Sequence, residues 1–199
     1  YKKVNNKFVE HKMALDPDAF QYAKIALSSS SVSYEMKAHA AGFYKTIRER
    51  KSIVDKAHNK IAKFKDIVYS NLDKKIITFG GLNEFTDMLA ESVSPLAEVY
   101  HSKITTKNKR EALRRFKEGE VNVLCSTKAL NQGFDIPNAN LGIICGLTSK
   151  ALSMIQRVGR LIRYEEGKTG KVYVLYIKDS QEEKWLKNAV YDLKGVTWM

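Results

Sequence analysis

The hydrophobic pattern divides the chain into two parts with different periodicity. Up to about residue 70, apolar residues recur at spacings of three and four, which is the spacing of a helix face, and Gly42 is the single glycine. After residue 75, short apolar runs alternate with longer amphipathic stretches. We therefore predict a mostly helical segment over residues 1–70 and a domain of alternating strands and helices over residues 71–199.

The first segment contains one predicted strand and several predicted helices. A strand is predicted over residues 7–15, and Asp16 followed by Pro17 is typical of a helix start. The apolar stripe from residue 36 to residue 68 fits one long helix, or two helices with a break near residue 51. A coiled coil would show a similar stripe. Packing of a helix face on the following domain is the more economical interpretation.

Five apolar runs in the second segment predict strands, and they cover residues 76–79, 97–101, 121–126, 141–145 and 171–177. Helix signals lie between them: Thr105 or Thr106 caps a helix that Gly119 ends, and Ser180 with Glu183 opens the last helix as a capping box. Strands that alternate with helices predict a parallel sheet with helices on both faces. Ligands of such sheets bind at the carboxyl ends of the strands.

Composition narrows the expected partners. The formal net charge is +12, which favours nucleic acid or another polyanion. Cys125 and Cys145 lie inside apolar runs, so we expect core residues rather than a disulfide or a metal site, in a reducing interior such as the cytoplasm of a bacterium or a phage-infected cell. No apolar run approaches the roughly 18 residues of a membrane span, so no membrane partner is expected. The chain begins at Tyr1 rather than Met, and we expect it to be a piece of a longer protein.

The richest candidate chemistry lies in residues 154–163. Arg157, Arg160 and Arg163 are spaced three apart, so on a helix they share one face, and Gly159 keeps side-chain bulk away beside Arg160. Guanidinium groups are permanently charged planar forks that suit phosphate. The three arginines therefore form either a solvated basic face or an anion site.

Three blocks, in order, resemble the second RecA-like domain of superfamily 2 helicases and translocases. Residues 76–83 are similar to motif IV, residues 125–137 to motif V and residues 156–163 to motif VI, with the family's Arg-Phe-x-x-Gly helix end at residues 115–119. The resemblance covers about half of the chain. It implies a RecA-like α/β fold, preceded here by the helical segment, and an ATP-driven motor that works on nucleic acid.

The blocks that hold ATP phosphates are absent. A P-loop needs Gly-x-x-x-x-Gly-Lys-Ser/Thr after a strand. Gly167-Lys168-Thr169 has Ile162 where the first glycine belongs, and it precedes a strand. No Asp-Glu block of the Walker B type occurs either. The resemblance therefore implies that ATP and Mg²⁺ are bound mainly by an N-terminal RecA-like domain outside this chain, which alone should be inactive and holds no metal site.

The resemblance also implies roles for motif VI. Arg160 and Arg163 would be arginine fingers, delivered to the γ-phosphate when the cleft between two domains closes. Gln156 would contact the γ-phosphate region or its water. Arg157 would bind the nucleotide or hold a carboxylate that orients the helix.

The resemblance implies that motif V and the strand ends face both ATP and the nucleic acid. Asp135 would accept hydrogen bonds from the ribose, and Gly133 would permit close backbone approach to the nucleotide. Thr127 would meet a nucleic-acid phosphate at the end of its strand. Four further residues at strand ends could also contact phosphates, although ordinary turn chemistry explains them equally well: Gly80, Gly81, Ser102 and Lys103.

Departures from the family pattern favour DNA over RNA. Motif VI begins with Gln156 where RNA helicases of the DEAD-box branch usually have His, and Leu161-Ile162 replaces Thr-Gly. This is more similar to DNA translocases, repair helicases and phage-type helicases. Two alternatives stay open: an RNA helicase of the same superfamily, and a nucleic-acid-binding scaffold without ATPase activity.

Overall fold

The computed structural model describes residues 19–127, 139–162, 170–191 and 193–198. The chain forms two compact units, Tyr1–Val54 and Asp55–Met199. The predicted strand over residues 7–15 and the predicted helix start at Asp16 and Pro17 lie outside the described residues.

The described part of the first unit is helical, as its periodicity predicts. Helix α1 spans Ala19–Ser28, and helix α2 spans Tyr34–Asp55, which ends at the boundary of the unit. Small side chains of α1, such as Ala23, pack against Ala40 and the fully buried Phe43 of α2. The alanines permit close approach of the two helices, and the Tyr44 hydroxyl donates a hydrogen bond to the Phe20 carbonyl at 3.1 Å.

The apolar stripe from residue 36 to residue 68 belongs to two helices rather than one. Helix α3 spans His58–Tyr69, so the break lies at Lys56 and Ala57, a few residues beyond the predicted position. Phe64 and Val68 of α3 are buried in the core of the sheet domain. Residues 55–70 thus belong to the second unit, and the stripe of α3 packs on the sheet domain, which is the interpretation that the sequence analysis preferred. The sequence pattern had placed the boundary between the two segments at residue 70.

The second unit is a parallel sheet with an alternating chain path, as predicted. Its elements are β1 Ile76–Phe79, α4 Asn83–Ser92, β2 Ala97–Tyr100, α5 Thr106–Glu118, β3 Val123–Ser126, β4 Leu141–Ile144, α6 Ala151–Leu161, β5 Lys171–Val174 and α7 Gln181–Val190. The five strands pair in the order β2-β3-β1-β4-β5, and every pairing is parallel. This is the RecA-like α/β architecture that the motifs imply.

Helices cover both faces of the sheet because alternate strand residues point to opposite sides. Ile76 packs with α3 and α4, whereas Ile77 and Phe79 pack with α5, α6 and α7. Gly142 on β4 brings α6 close to the sheet, since a Cβ there would lie 2.5 Å from Val158 Cγ1 and 2.8 Å from Ile162 Cδ1. Both cysteines are fully buried in this core, as predicted.

The predicted helix ends are confirmed. Thr105 accepts a hydrogen bond from the Asn108 amide at 3.2 Å, and Gly119 ends α5 in the left-handed region with φ of 81°. Ser180 caps α7 by accepting from the Glu182 amide at 3.1 Å. Glu183 accepts from the Asp179 amide at 2.7 Å, one residue before the position of an ideal capping box. No described helix is long and apolar enough to cross a membrane.

Candidate functional site

Five predicted site residues lie along one edge of the sheet. Strands β2, β3 and β1 are neighbours, so the segments that follow them lie side by side at their carboxyl ends. This brings together the loop after β2, which contains Ser102 and Lys103, the end of β3 at Thr127, and the loop after β1, which contains Gly80 and Gly81. The edge is where open parallel sheets bind ligands.

The amides of Gly80 and Gly81 already donate hydrogen bonds to carbonyls at the end of β3. Gly80 donates to the Ser126 carbonyl at 2.9 Å, and Gly81 donates to the Thr127 carbonyl at 3.0 Å. Gly81 has φ of 83°, so a side chain here would strain the backbone. A phosphate at this edge has to find its donors elsewhere, and the two glycines contribute by leaving room for it.

Thr127 belongs to a small polar group that the sequence analysis did not identify. Its hydroxyl donates to Asn83 Oδ1 at 2.6 Å and lies 3.4 Å from Thr86 Oγ1. Asn83 is the first residue of α4, whose N-cap Leu82 forms no side-chain capping hydrogen bond. First-turn amides of α4 therefore join the Thr127 hydroxyl at the same edge. The signal that could have found this group is Asn83, a polar residue two positions after the glycine pair.

The loop after β4 packs against the backbone of the glycine pair. Cys145 and Gly146 both donate to the Phe79 carbonyl, at 2.8 and 3.1 Å. A Cβ on Gly146 would lie 2.8 Å from the Gly80 carbonyl carbon and 2.9 Å from Gly81 Cα. The two loops therefore touch through bare backbone, and only glycine fits at Gly146.

The loop after β2 is held by a buried histidine. The His101 side chain is 3% exposed, and its Nε2 lies 2.7 Å from Asp87 Oδ1. Its Nδ1 accepts from the Lys103 amide at 3.3 Å, so Nε2 carries the proton and donates to Asp87. This anchors the turn on α4 and leaves Ser102 and Lys103 exposed.

Helix α6 carries the predicted nucleotide-facing residues. Its inner face buries Ala151 and Val158, whereas Gln156 is exposed and a Cβ on Gly159 would meet nothing within 4 Å. Helical spacing places position 160 one turn after Gln156. Other predicted groups lie outside what the structure describes: the side chains of Arg157 and Arg160, and all of Gly133, Asp135 and Arg163.

The comparisons with known proteins agree with the fold. Residues 49–165 match the family described as helicase conserved C-terminal domain. The DNA 3'-5' translocase XPB2 of Sulfurisphaera tokodaii is 26% identical over 118 residues, which cover 59% of this chain and 26% of that protein. The ATP-dependent RNA helicase ROK1 of Meyerozyma guilliermondii is 36% identical over 84 residues, 42% of this chain and 15% of that protein. The chain thus spans about a quarter of the length of these relatives, or less.

A solved structure shows the same fold. The crystal structure of the Pyrococcus furiosus Hef helicase domain has a TM-score of 0.54 at 20% identity, and the match covers 94% of this chain and 37% of that one. Because the family match extends over more than half of the residues and the sheet is RecA-like, the chain belongs to the helicase conserved C-terminal domain family, as a second RecA-like domain of superfamily 2.

Proposed function

We propose that this chain is the C-terminal motor half of an ATP-dependent DNA helicase or translocase. One observation carries the proposal: the Thr127 hydroxyl, the uncapped start of α4 and the exposed turn with Lys103 lie at the carboxyl ends of three adjacent strands. The net charge of +12 suits a polyanion at that edge.

The nucleic-acid side of the site reads phosphates rather than bases. The first-turn amides of α4 are donors, Lys103 supplies charge, and Gly80 and Gly81 let a strand approach closely. The Thr127 hydroxyl donates to Asn83 Oδ1 in this structure and becomes a phosphate donor when it rotates away from that oxygen. Contacts of this kind are insensitive to base sequence, as a translocating protein requires. Their affinity falls steeply with salt because counterions are released on binding.

On the nucleotide side, the sequence contains no P-loop. Among the described residues, no group of three or more His, Cys, Asp or Glu side chains could hold a metal ion. Helix α6 instead presents the exposed Gln156 and the open position of Gly159, which fits a face offered to a nucleotide bound by another domain. When bound there, ATP with Mg²⁺ supplies the bond whose hydrolysis drives the motor.

The family motifs assign roles to individual residues on the nucleotide side. Arg160 and Arg163 stabilise charge on the γ-phosphate, and Gln156 orients the group beside it. Asp135 accepts from the ribose, with Gly133 leaving room, and Arg157 binds the nucleotide or orients α6. The motor partner of this face is an N-terminal RecA-like domain of the same polypeptide.

An RNA helicase is the second candidate. XPB2 is named as a DNA translocase and ROK1 as an RNA helicase, so relatives of both kinds support the family. The preference for DNA depends on Gln156 at the head of motif VI and on Leu161-Ile162 within it.

The test compares DNA and RNA as activators of ATP hydrolysis. A protein that contains both motor domains is assayed for ATP hydrolysis alone, with single-stranded DNA, and with RNA of the same sequence. We expect stimulation by DNA to exceed that by RNA. Stronger stimulation by RNA would favour the second candidate, and the absence of hydrolysis beside an intact P-loop would favour a scaffold. This chain alone should bind single-stranded DNA in low salt and hydrolyse nothing.

A further inference from the structure

A buried ion pair joins two helices of the sheet domain. Lys60 of α3 and Glu182 of α7 have side chains that are only 2% and 3% exposed, and Lys60 Nζ lies 2.7 Å from Glu182 Oε1. Burial raises the pKa of the Glu182 carboxyl, and the Lys60 ammonium opposes that rise. Desolvating two charges is costly, and an apolar pair of similar size is often as stable. The pair therefore calls for an explanation other than stability.

Both charged groups bind the backbone of loops at the carboxyl edge. Lys60 Nζ donates to the Cys145 carbonyl at 2.8 Å. Glu182 Oε1 accepts from the Leu147 amide at 3.3 Å, and Oε2 accepts from the Ile177 amide at 3.2 Å. The pair thus ties the loop after β4 and the segment after β5 to helices on either side of the sheet.

The loop after β4 is the support of the glycine pair described above. Cys145 and Gly146 donate to the Phe79 carbonyl, and Gly146 packs on the backbone of Gly80 and Gly81. The same loop leads into α6, which begins at Ala151. A shift of this loop would therefore move the glycine pair and the start of α6 together.

We propose that the Lys60–Glu182 pair is a positioning device for the nucleic-acid edge: it fixes the loop over residues 145–150, and through it Gly80 and Gly81. The inference rests on the proposed function, because it assigns the pair to nucleic-acid binding. Neither side chain touches nucleic acid, since both are buried.

The main test replaces both charges with apolar side chains in the double variant Lys60→Met/Glu182→Leu. The apolar pair compensates for the lost ion pair, but it leaves the Cys145 carbonyl and the Leu147 and Ile177 amides without these partners, so the urea midpoint of unfolding should fall modestly. Peptides that cover residues 143–150 should exchange amide hydrogens faster, as seen by mass spectrometry. Affinity for a fluorescein-labelled oligo(dT) should fall about tenfold, the effect of one lost hydrogen bond to a charged group.

Val68→Ala is the matched control. Val68 lies two turns further along α3, is 1% exposed and packs in the sheet core, and its apolar side chain cannot hydrogen-bond to the loop as Lys60 does. This variant should lower the free energy of unfolding while leaving oligonucleotide affinity and loop exchange unchanged. If Val68→Ala weakens binding as much as the double variant does, stability alone explains the effect and the proposal is wrong.

Glu182→Gln covers the case in which the double variant does not fold. It keeps the size of the side chain, but it leaves Lys60 without its counter-charge and turns one acceptor into a donor. Faster loop exchange and weaker binding at a temperature where the variant is fully folded support the proposal, and wild-type values for both overturn it. If the wild type binds no oligonucleotide, the proposed function fails. Loop exchange then decides the positioning role by itself: faster exchange supports it, and unchanged exchange overturns it.

Discussion

Replacing Gly146 by alanine tests the packing of the two loops at the carboxyl edge. The new Cβ would lie 2.8 Å from the Gly80 carbonyl carbon and 2.9 Å from Gly81 Cα, inside the 3.0 Å that real Cβ contacts essentially never cross. The obstacles are backbone atoms at the ends of buried strands, so a rotamer change cannot relieve the clash. Overpacking typically costs about 1–3 kcal/mol, and rigid obstacles place this site near 3. Alanine also lowers the conformational entropy of the unfolded chain, which stabilises the folded protein by about 0.4–1 kcal/mol. We expect a net loss of about 2 kcal/mol.

Urea unfolding followed by tryptophan fluorescence measures this loss, since Trp185 and Trp198 both lie in the second unit. Gly159→Ala is the matched control: its Cβ would meet nothing within 4 Å on α6. That variant should be stabilised by about 0.5–1 kcal/mol, because alanine is a better helix former. A Gly146→Ala protein as stable as the wild type would refute the close packing of Gly146 on the glycine pair.

Two further predictions concern the edge and the core of the sheet domain. Thr127→Ala should weaken binding of single-stranded DNA about tenfold, measured by fluorescence anisotropy, with the urea midpoint nearly unchanged because Thr127 is half-buried; unchanged affinity would remove Thr127 from the interface. Burial raises the pKa of the Cys145 thiol to about 12 and also raises that of Cys125, so at pH 8 iodoacetamide should leave both unmodified in the folded protein and label both in urea. Labelling of the folded protein, seen by mass spectrometry, would contradict their burial.

Local signals in the sequence predicted most of the fold. Thr105, Gly119 and Ser180 act through their own backbone neighbours, so the helix ends at these residues follow from residue type alone. Strand ends were predicted less well: Val121 and Cys145 are buried but lie outside the paired strands. An apolar run reports burial, whereas strand limits depend on hydrogen bonding to neighbouring strands.

The candidate site was predictable only as far as strand ends could be recognised. Thr127 and Gly80 were placed at strand ends because they follow apolar runs, and the structure has them directly after β3 and β1. Asn83, Gly146 and the Lys60–Glu182 pair were not found, since their contacts depend on β1 lying between β3 and β4, and on α3 packing with the sheet. The order of strands in the sheet and the packing of helices that are distant in sequence are properties of the tertiary structure, and hydrophobic periodicity does not reveal them.

Hydrolysis by the variant Arg160→Ala, in a protein that contains both motor domains, decides whether this chain supplies the arginine fingers of the motor. Arginine fingers act mainly on the transition state, so kcat of DNA-stimulated hydrolysis should fall about 10³–10⁵-fold while KM for ATP and affinity for DNA change little. Arg160→Lys should not restore activity, because an ammonium lacks the planar fork. Lys150→Ala removes an exposed charge at the start of the same helix and should keep wild-type hydrolysis. Near-normal stimulated hydrolysis by Arg160→Ala would contradict the account and return the arginines of α6 to a solvated basic face.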